Sequence, residues 1–271
     1  MLWAVLLSAQ AAEPQLNIDA KSFFIAGFPF PHLFMMESPY GQAFVDGRIK
    51  LQYRALPNLK LVAHHAVTMG SIMPQTKLMK ELDAMGIESE SELASGFMTG
   101  VGLTAPEIVT LSWKAFADSD LMLQGRTDRL FIDLSLEGVD IRLGRQPISF
   151  GNGLAFNPLD LIQPFAVATI DNEYKPGVDA LRTDIYVGMS SQFTAVAAYV
   201  GDWSLEGTVF ALNGKTTIDV TEYSFFAGLI RGDRVFGGGA TGSIGPVAIY
   251  GDATLTLPYQ DDEEIFFRGD I

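Results

Sequence analysis

The residues whose types first suggest chemistry are three histidines, a glycine run and a run of acids. His64 and His65 are adjacent, so on a strand they point to opposite faces and cannot close on one metal ion. His32 is distant in sequence, and a metal site needs three or four convergent ligands; no metal and no cofactor are expected. Gly237-Gly238-Gly239-Ala240-Thr241-Gly242 spells G-x-G-x-x-G. Its flanks read as strands and no helix follows, so a dinucleotide would lack the helix N-terminus that receives its phosphates. Asp261-Asp262-Glu263-Glu264 has the charge to attract calcium, yet such a run is ordinarily a solvated face. The Arg-Gly-Asp triplets at 231–233 and 268–270 read as turns. There is no G-x-S-x-G elbow, and spacing does not locate the paired carboxylates of a glycosidase. No enzyme is expected.

The remaining charges follow a pattern that belongs to strands. Arg48, Lys50, Gln52 and Arg54 alternate with Ile49, Leu51, Tyr53 and Ala55, a period of two that puts charge on one face and apolar groups on the other. Pro57-Asn58 makes a turn, and Leu59, Leu61, Ala63, His65 and Val67 resume the apolar face against Lys60 and His64, which predicts a hairpin. Leu16 to Phe24 shows the same alternation, with Asn17, Asp19 and Lys21 on the polar parity. It returns in Leu130 to Leu136 against Asp133, after Gly138 in Val139 to Leu143 against Asp140 and Arg142, and in Leu181 to Val187 against Arg182 and Asp184. Further strands are predicted at 192–200, 205–212, 221–230, 235–243 and 247–257. The total is ten to twelve, in hairpin-linked antiparallel pairing.

Two stretches break the alternation. Between Met69 and Pro106, Leu78, Leu82 and Met85 recur at helical spacing, and Ser89 with Glu92 forms a capping box, which predicts helical turns in a long loop. Residues 151–177 hold Pro158, Pro164 and Pro176 with Gly151-Asn152-Gly153, an irregular loop of a size that is usually functional.

Composition narrows the classes. The chain has 271 residues, 27 Gly, no Cys, 18 Lys+Arg against 32 Asp+Glu and a formal net charge of −14, with mean hydropathy +0.21. That acidity argues against a nucleic-acid partner, whose phosphates attract basic surfaces. The lack of Cys removes a disulfide scaffold and a thiol nucleophile. No run after the first seven residues approaches the roughly 18 apolar residues of a spanning helix. Residues 1–12 carry an apolar stretch from Leu2 to Leu7 and then Ala9-Gln10-Ala11, the small-x-small pattern of a cleaved export signal. Residues 13–271 are left as the folded part.

Alternating strands fit a soluble sandwich or barrel with the apolar face inward, or a membrane barrel with it outward. Charges aligned along the strands, short turns alternating with long connections, and an exported, acidic, Gly- and aromatic-rich chain all lean toward the membrane. The expected fold is an all-β antiparallel transmembrane β-barrel, a meander that is incomplete in this chain. Its apolar parity (Ile49, Leu51, Ile132, Leu134, Leu143, Ile185) should face outward.

The stretch Arg129 to Phe165 resembles a segment of large Gram-negative outer-membrane barrel proteins of the alginate-export and related porin-like families. There a strand ending in Gly-Arg-Gln leads into an aromatic-Gly turn and an Asn-Pro-x-Asp loop. Here these are Gly144-Arg145-Gln146, Phe150-Gly151 and Asn157-Pro158-Leu159-Asp160, with Phe150 where Trp is more common. The resemblance implies an outer-membrane location, lipid and the barrel-assembly machinery as partners, and a diffusion channel for small solutes without catalysis. It also implies a closing strand with a terminal aromatic, whereas this sequence ends Phe266-Phe267-Arg268-Gly269-Asp270-Ile271, so the chain is expected to be the N-terminal portion of a larger barrel.

The residues expected to line the pore are Lys21, Arg48, Lys50, Arg54, Lys60, Asp133, Asp140, Arg142, Arg182 and Asp184. Residues 1–67 hold five basic and four acidic groups, a net of +1, which leaves −15 for the remainder. A basic N-terminal wall would favour anions by focusing potential inside the lumen. Pairing with carboxylates such as Asp19 explains the same residues without selectivity. Asp140 and Arg142 beside Arg182 and Asp184 are expected to form an interior ladder of opposite charges. The alternative to a channel is a secreted or periplasmic β-rich carbohydrate-binding or carbohydrate-active protein. A barrel phospholipase would need a Ser/His pair on one outward face, and His65 has no identifiable partner serine.

Overall fold

A computed structural model describes residues 13–27, 40–71, 106–117, 121–151, 158–162, 174–259 and 266–270. The export signal, the helical turns and Asn157 lie outside the described residues. The fold is all-β and antiparallel. Thirteen strands form one sheet: β1 (Gln15–Gly27), β2 (Tyr40–Leu56), β3 (Leu59–Ser71), β4 (Trp113–Ala117), β5 (Leu121–Leu136), β6 (Val139–Gln146), β7 (Val178–Val187), β8 (Ser191–Tyr199), β9 (Thr208–Ile218), β10 (Thr221–Ile230), β11 (Asp233–Ile244), β12 (Val247–Leu257) and β13 (Phe266–Asp270). Each pairs with its sequence neighbour except at β4. The short β6 covers only Leu130–Leu136 of β5, and β4 takes the Met122–Gly125 stretch beyond it. β1 and β13 end the order, with no ladder between them among the described residues.

One rim carries tight turns, after β2, β5, β7, β9 and β11; the other carries the long connections after β1, β3 and β6. The exception is Arg231-Gly232, a two-residue turn at the long-connection rim. Its φ values of 53° and 94° are the paired left-handed conformations that match a hairpin's twist.

The polarity of the sheet is inverted relative to a water-soluble protein. Leu143 is 59% exposed and Ile132 46%, whereas Arg48 is 3% exposed and Asp128 2%. Ile49, Leu51, Leu61, Ile185 and Val187 are exposed as their parity requires, and Tyr53, Leu59, Leu134 and Ile141 on the same parity are half-buried. All described strands share one sheet, so Leu51 and Leu134 face no second sheet as they would in a sandwich.

The thirteen strands exceed the ten to twelve expected: β4 was not predicted, Arg268-Gly269-Asp270 lies in β13 instead of a turn, and two further strands have other bounds than expected. The predicted strand at 205–212 is shifted to Thr208–Ile218, because Asn213-Gly214, which reads as a turn, continues the strand. Asn213 Nδ2 donates to Phe225 O at 2.9 Å, and Gly214 lies beneath the Phe225 ring, where a Cβ would overlap it. β5 begins nine residues before Leu130, since its register shifts opposite His64/His65. This bulge brings Asp128 onto the same face as Arg126 and Arg129, and the period of two is lost there.

Candidate functional site

The site is the covered face of the sheet, built from two walls and a loop. On the first wall the register sets Asp19 opposite Arg48, Asn17 opposite Lys50, Lys50 opposite His64 and His64 opposite Arg129. Cations and carboxylates therefore interleave across β1, β2, β3 and β5. Arg48 is ion-paired with Asp128, and Arg126 Nε lies 2.8 Å from the other oxygen of that carboxylate. Lys50 pairs with Asp19. Asp46 accepts a hydrogen bond from Thr68 Oγ1 at 2.6 Å. The bulge lets Asp128 and Arg129 share this face in succession, and the Asp128 carboxylate spares Arg48 the cost of a buried, unpaired cation.

The second wall spans β7 to β11 and is apolar toward the long-connection rim. Ala180, Val196, Ala198, Val209, Ala211, Phe226 and Val235 are buried under Ile148, Phe150, Leu159 and Ile162, which follow β6. The Phe150 and Phe226 rings lie 5.3 Å apart. Leu159 is 0% exposed and seats on Gly237, where a Cβ would overlap Leu159 Cδ2. The glycine run thus has a packing role: Gly237 admits the loop, and a Cβ at Gly239 would collide with the Asp252 carboxylate.

The loop joins the walls. Asp160, next to Leu159, is ion-paired with Lys175. Arg129 Nη1 donates to the Lys175 carbonyl at 2.8 Å. Tyr174 lies among the cations of the first wall, its ring centroid 3.9 Å from Arg48 Cζ, 4.7 Å from Lys50 Nζ and 5.0 Å from Lys21 Nζ. Its hydroxyl takes a hydrogen bond from Lys50 and donates to Asp19 at 3.5 Å. A continuous path of contacts therefore crosses the covered space from Gly237 on β11 through Leu159, Asp160, Lys175 and Tyr174 to β1 and β2. Burial pushes the Asp160 carboxyl above its ordinary pKa and the Lys175 ammonium below its own; each partner's charge opposes the shift of the other.

The structure brings the expected pore-lining residues onto one face. Arg54 is exposed and Lys60 half-buried near the tight-turn rim, facing each other across β2 and β3. The expected ladder of opposite charges is corrected by register. Asp140 stands opposite Asp184, and Arg142 opposite Arg182, so like faces like and the pairs form elsewhere. Arg142 Nη2 bonds Asp133 at 2.7 Å. Arg182 holds Asp184 on its own strand at 2.7 and 2.9 Å. Gln192 and Thr194 donate to the same Asp184 carboxylate at 2.8 and 2.5 Å. Asp140 accepts from Tyr186 Oη at 3.1 Å.

Within the Gly144-Arg145-Gln146 motif, Gly144 has φ 120° and the register to both neighbouring strands runs unbroken through it. A Cβ there would overlap Leu130 O. Gln146, 0% exposed, donates to the carbonyls of Arg142, Gly144 and Ala180. Arg145 lies on the outward parity, bonded to Glu107 at 2.5 Å and Asp179 at 2.8 Å. Pro158 and Asp160 are buried and half-buried in the loop. Sequence reasoning named none of Arg126, Asp128, Arg129, Tyr174 and Lys175 as site residues; Arg129 opened the stretch that carries the resemblance, Tyr174 and Lys175 lay in the loop 151–177 that was singled out, and Arg126 and Asp128 stood in no such stretch.

No family model matches the chain, and no curated protein sequence matches it. Solved structures are similar in fold. The low-pH structure of Pseudomonas putida OprB is 9% identical at a TM-score of 0.45, over 90% of this chain and 66% of that one. Pseudomonas aeruginosa OccK9 (OpdG) is 11% identical at 0.45, over 90% of this chain and 57% of that one. A mutant of the Rh. blastica porin is 11% identical at 0.32, over 90% of this chain and 95% of that one. The chain spans less than two thirds of the length of the first two.

Proposed function

We propose that residues 13–271 form a channel wall in the outer membrane of a Gram-negative bacterium, through which small solutes diffuse passively or with facilitation, and that the chain performs no catalysis. The observation that carries this reading is the inverted polarity: apolar side chains lie on the open face all along the sheet, while charged side chains and their ion pairs lie on the covered face, whose apolar part at β7 to β11 is packed under the loop. In water, each Leu, Ile or Phe left on that face would forgo about 1.5–3 kcal/mol of burial, a loss that lipid removes. Several strands run 9 to 12 residues, the length that crosses a bilayer when tilted. Aromatic rings stand near both rims, Trp113, Tyr199 and Trp203 at one and Phe193 and Tyr223 at the other, as interfacial belts do. Lipid and the barrel-assembly machinery are the partners that follow, and residues 1–12 act as the export signal. An open apolar face disfavours the soluble carbohydrate-binding alternative.

The finer reading is a preference for anions. On the covered face of β1, β2, β3 and β5, Lys21, Arg48, Lys50, Arg54, Lys60, Arg126 and Arg129 outnumber Asp19, Asp46, Asp128 and Asp133. Arg48 and Arg126 pair with Asp128 and Lys50 with Asp19, so the excess rests on Arg54 and Lys60 near the tight-turn rim and on the buried Arg129, which donates to backbone carbonyls. Purified protein in planar bilayers should give ion conductance, and neutralising Arg48, Lys50 and Arg54 together should lower the anion-to-cation permeability ratio. Absence of conductance would refute the channel, and an unchanged ratio would leave those cations as wall braces only.

A further inference from the structure

The outward face carries a groove whose reading rests on the membrane location proposed above. Residues 106–112 lie across the outer side of β5 to β7, held by a cluster that no lumen role explains. Arg145, 3% exposed, bonds Glu107 and Asp179, and the Ile108 amide donates to Asp179 at 2.8 Å. On the other side the 200–207 turn rises from β8 and β9. Between this strap and this turn lies a recess of about 690 Å³, floored by Leu143, Leu181, Ala197 and Phe210. Tyr199 and Trp203, with ring centroids 5.0 Å apart, stand at its lip. Its floor residues Leu143 and Leu181 also belong to the exposed apolar parity of the sheet.

We propose that this groove holds one hydrocarbon chain of a membrane lipid, with the lipid's polar head at Tyr199 and Trp203. The floor strands β6 to β9 already satisfy one another's backbone groups. A peptide laid there would bury its own N–H and C=O groups without partners, at a cost of about 1–3 kcal/mol each, whereas a methylene chain has none to lose. The polar end of the groove is closed to an anionic head group. One guanidinium faces two carboxylates, a net negative charge that repels phosphate, so the head lies at the aromatic lip, the ordinary position of Trp and Tyr at an interface.

The test uses tryptophan fluorescence of the full chain purified in detergent, with Trp3 and Trp113 replaced by Phe so that Trp203 reports alone. A reference variant carries Phe236→Trp, on the same outward face of β11, with Trp203→Phe. Titrating a lysolipid brominated on its acyl chain should quench Trp203 saturably at one equivalent. Ala197→Phe, which fills the floor, should weaken that response roughly tenfold in apparent affinity, and the reference tryptophan should show no saturable response. Unsaturable quenching of Trp203, equal behaviour of the reference, or a signal that follows protein concentration, as a second copy in the groove would produce, overturns the proposal. In bilayers of brominated lipid the reference tryptophan should be quenched whether or not the groove is filled. If it is not, the membrane location itself fails.

Discussion

The two walls of the covered face hold the same loop by opposite means. On β1 to β5 the loop meets charge: Tyr174 lies among Lys21, Arg48 and Lys50, and the Lys175 carbonyl accepts from Arg129. On β7 to β11 it meets hydrocarbon: Leu159 seats on Gly237, and Phe150 packs on Phe226. Apolar packing is non-directional and costs nothing in desolvated charge. The ionic wall is directional, and each of its buried charges depends on its partner. One wall can therefore anchor the loop, while the other sets where its returning end must lie.

This contrast predicts unequal responses to substitution. Asp128→Ala removes the carboxylate shared by Arg48 and Arg126 and leaves a buried cation. It should cost about 3–5 kcal/mol, read as a lowered urea midpoint for unfolding from detergent. A change under about 1 kcal/mol would mean that the ionic wall is hydrated and braces little. Gly237→Leu on the apolar wall should cost less, about 1–3 kcal/mol for overpacking, and should raise conductance by displacing Leu159. An unaltered conductance would detach the loop from the channel.

The smallest effect concerns the Asp160 and Lys175 pair between the walls. Burial raises the Asp160 pKa and lowers that of Lys175, so both are charged only in a window narrowed from each end. As pH falls through the raised Asp160 value the carboxyl is neutralised and the pair is lost. As pH rises through the lowered Lys175 value it is lost again. Conductance should step on acidification above the ordinary carboxylate range, and Asp160→Asn should abolish that step. A step retained in Asp160→Asn would assign it to another group.

The strand pattern was legible wherever period two ran unbroken, as in Arg48 to Ala55 or Leu130 to Leu136, because each such strand shows one apolar and one polar face. It failed where backbone geometry overrides the period. The bulge at Asp128 puts Asp128 and Arg129 on one face in succession and hides the start of β5, and Asn213-Gly214 has turn chemistry but lies within β9. The ion pairs were partly legible. Asp19 was expected beside Arg48 or Lys50 and pairs with Lys50, but the opposite charges expected across β6 and β7 are like charges, since register is not encoded in the charge pattern of either strand. Tyr174 and Lys175 come from an aperiodic loop, where spacing says nothing about position.

If the apolar parity faces lipid and the charged parity faces water, the two differ in access to a polar reagent, and the absence of native Cys allows a direct measurement. Single cysteines at Ile132 and Leu181, on the outward parity, and at Lys215 and Glu222, on the covered parity, are compared in liposomes using a small charged thiol reagent that does not enter hydrocarbon. Rapid labelling is expected at 215 and 222, with protection at 132 and 181 until detergent is added. Labelling at 132 and 181 as fast as at 215 and 222 would place the apolar face in water and contradict its facing lipid.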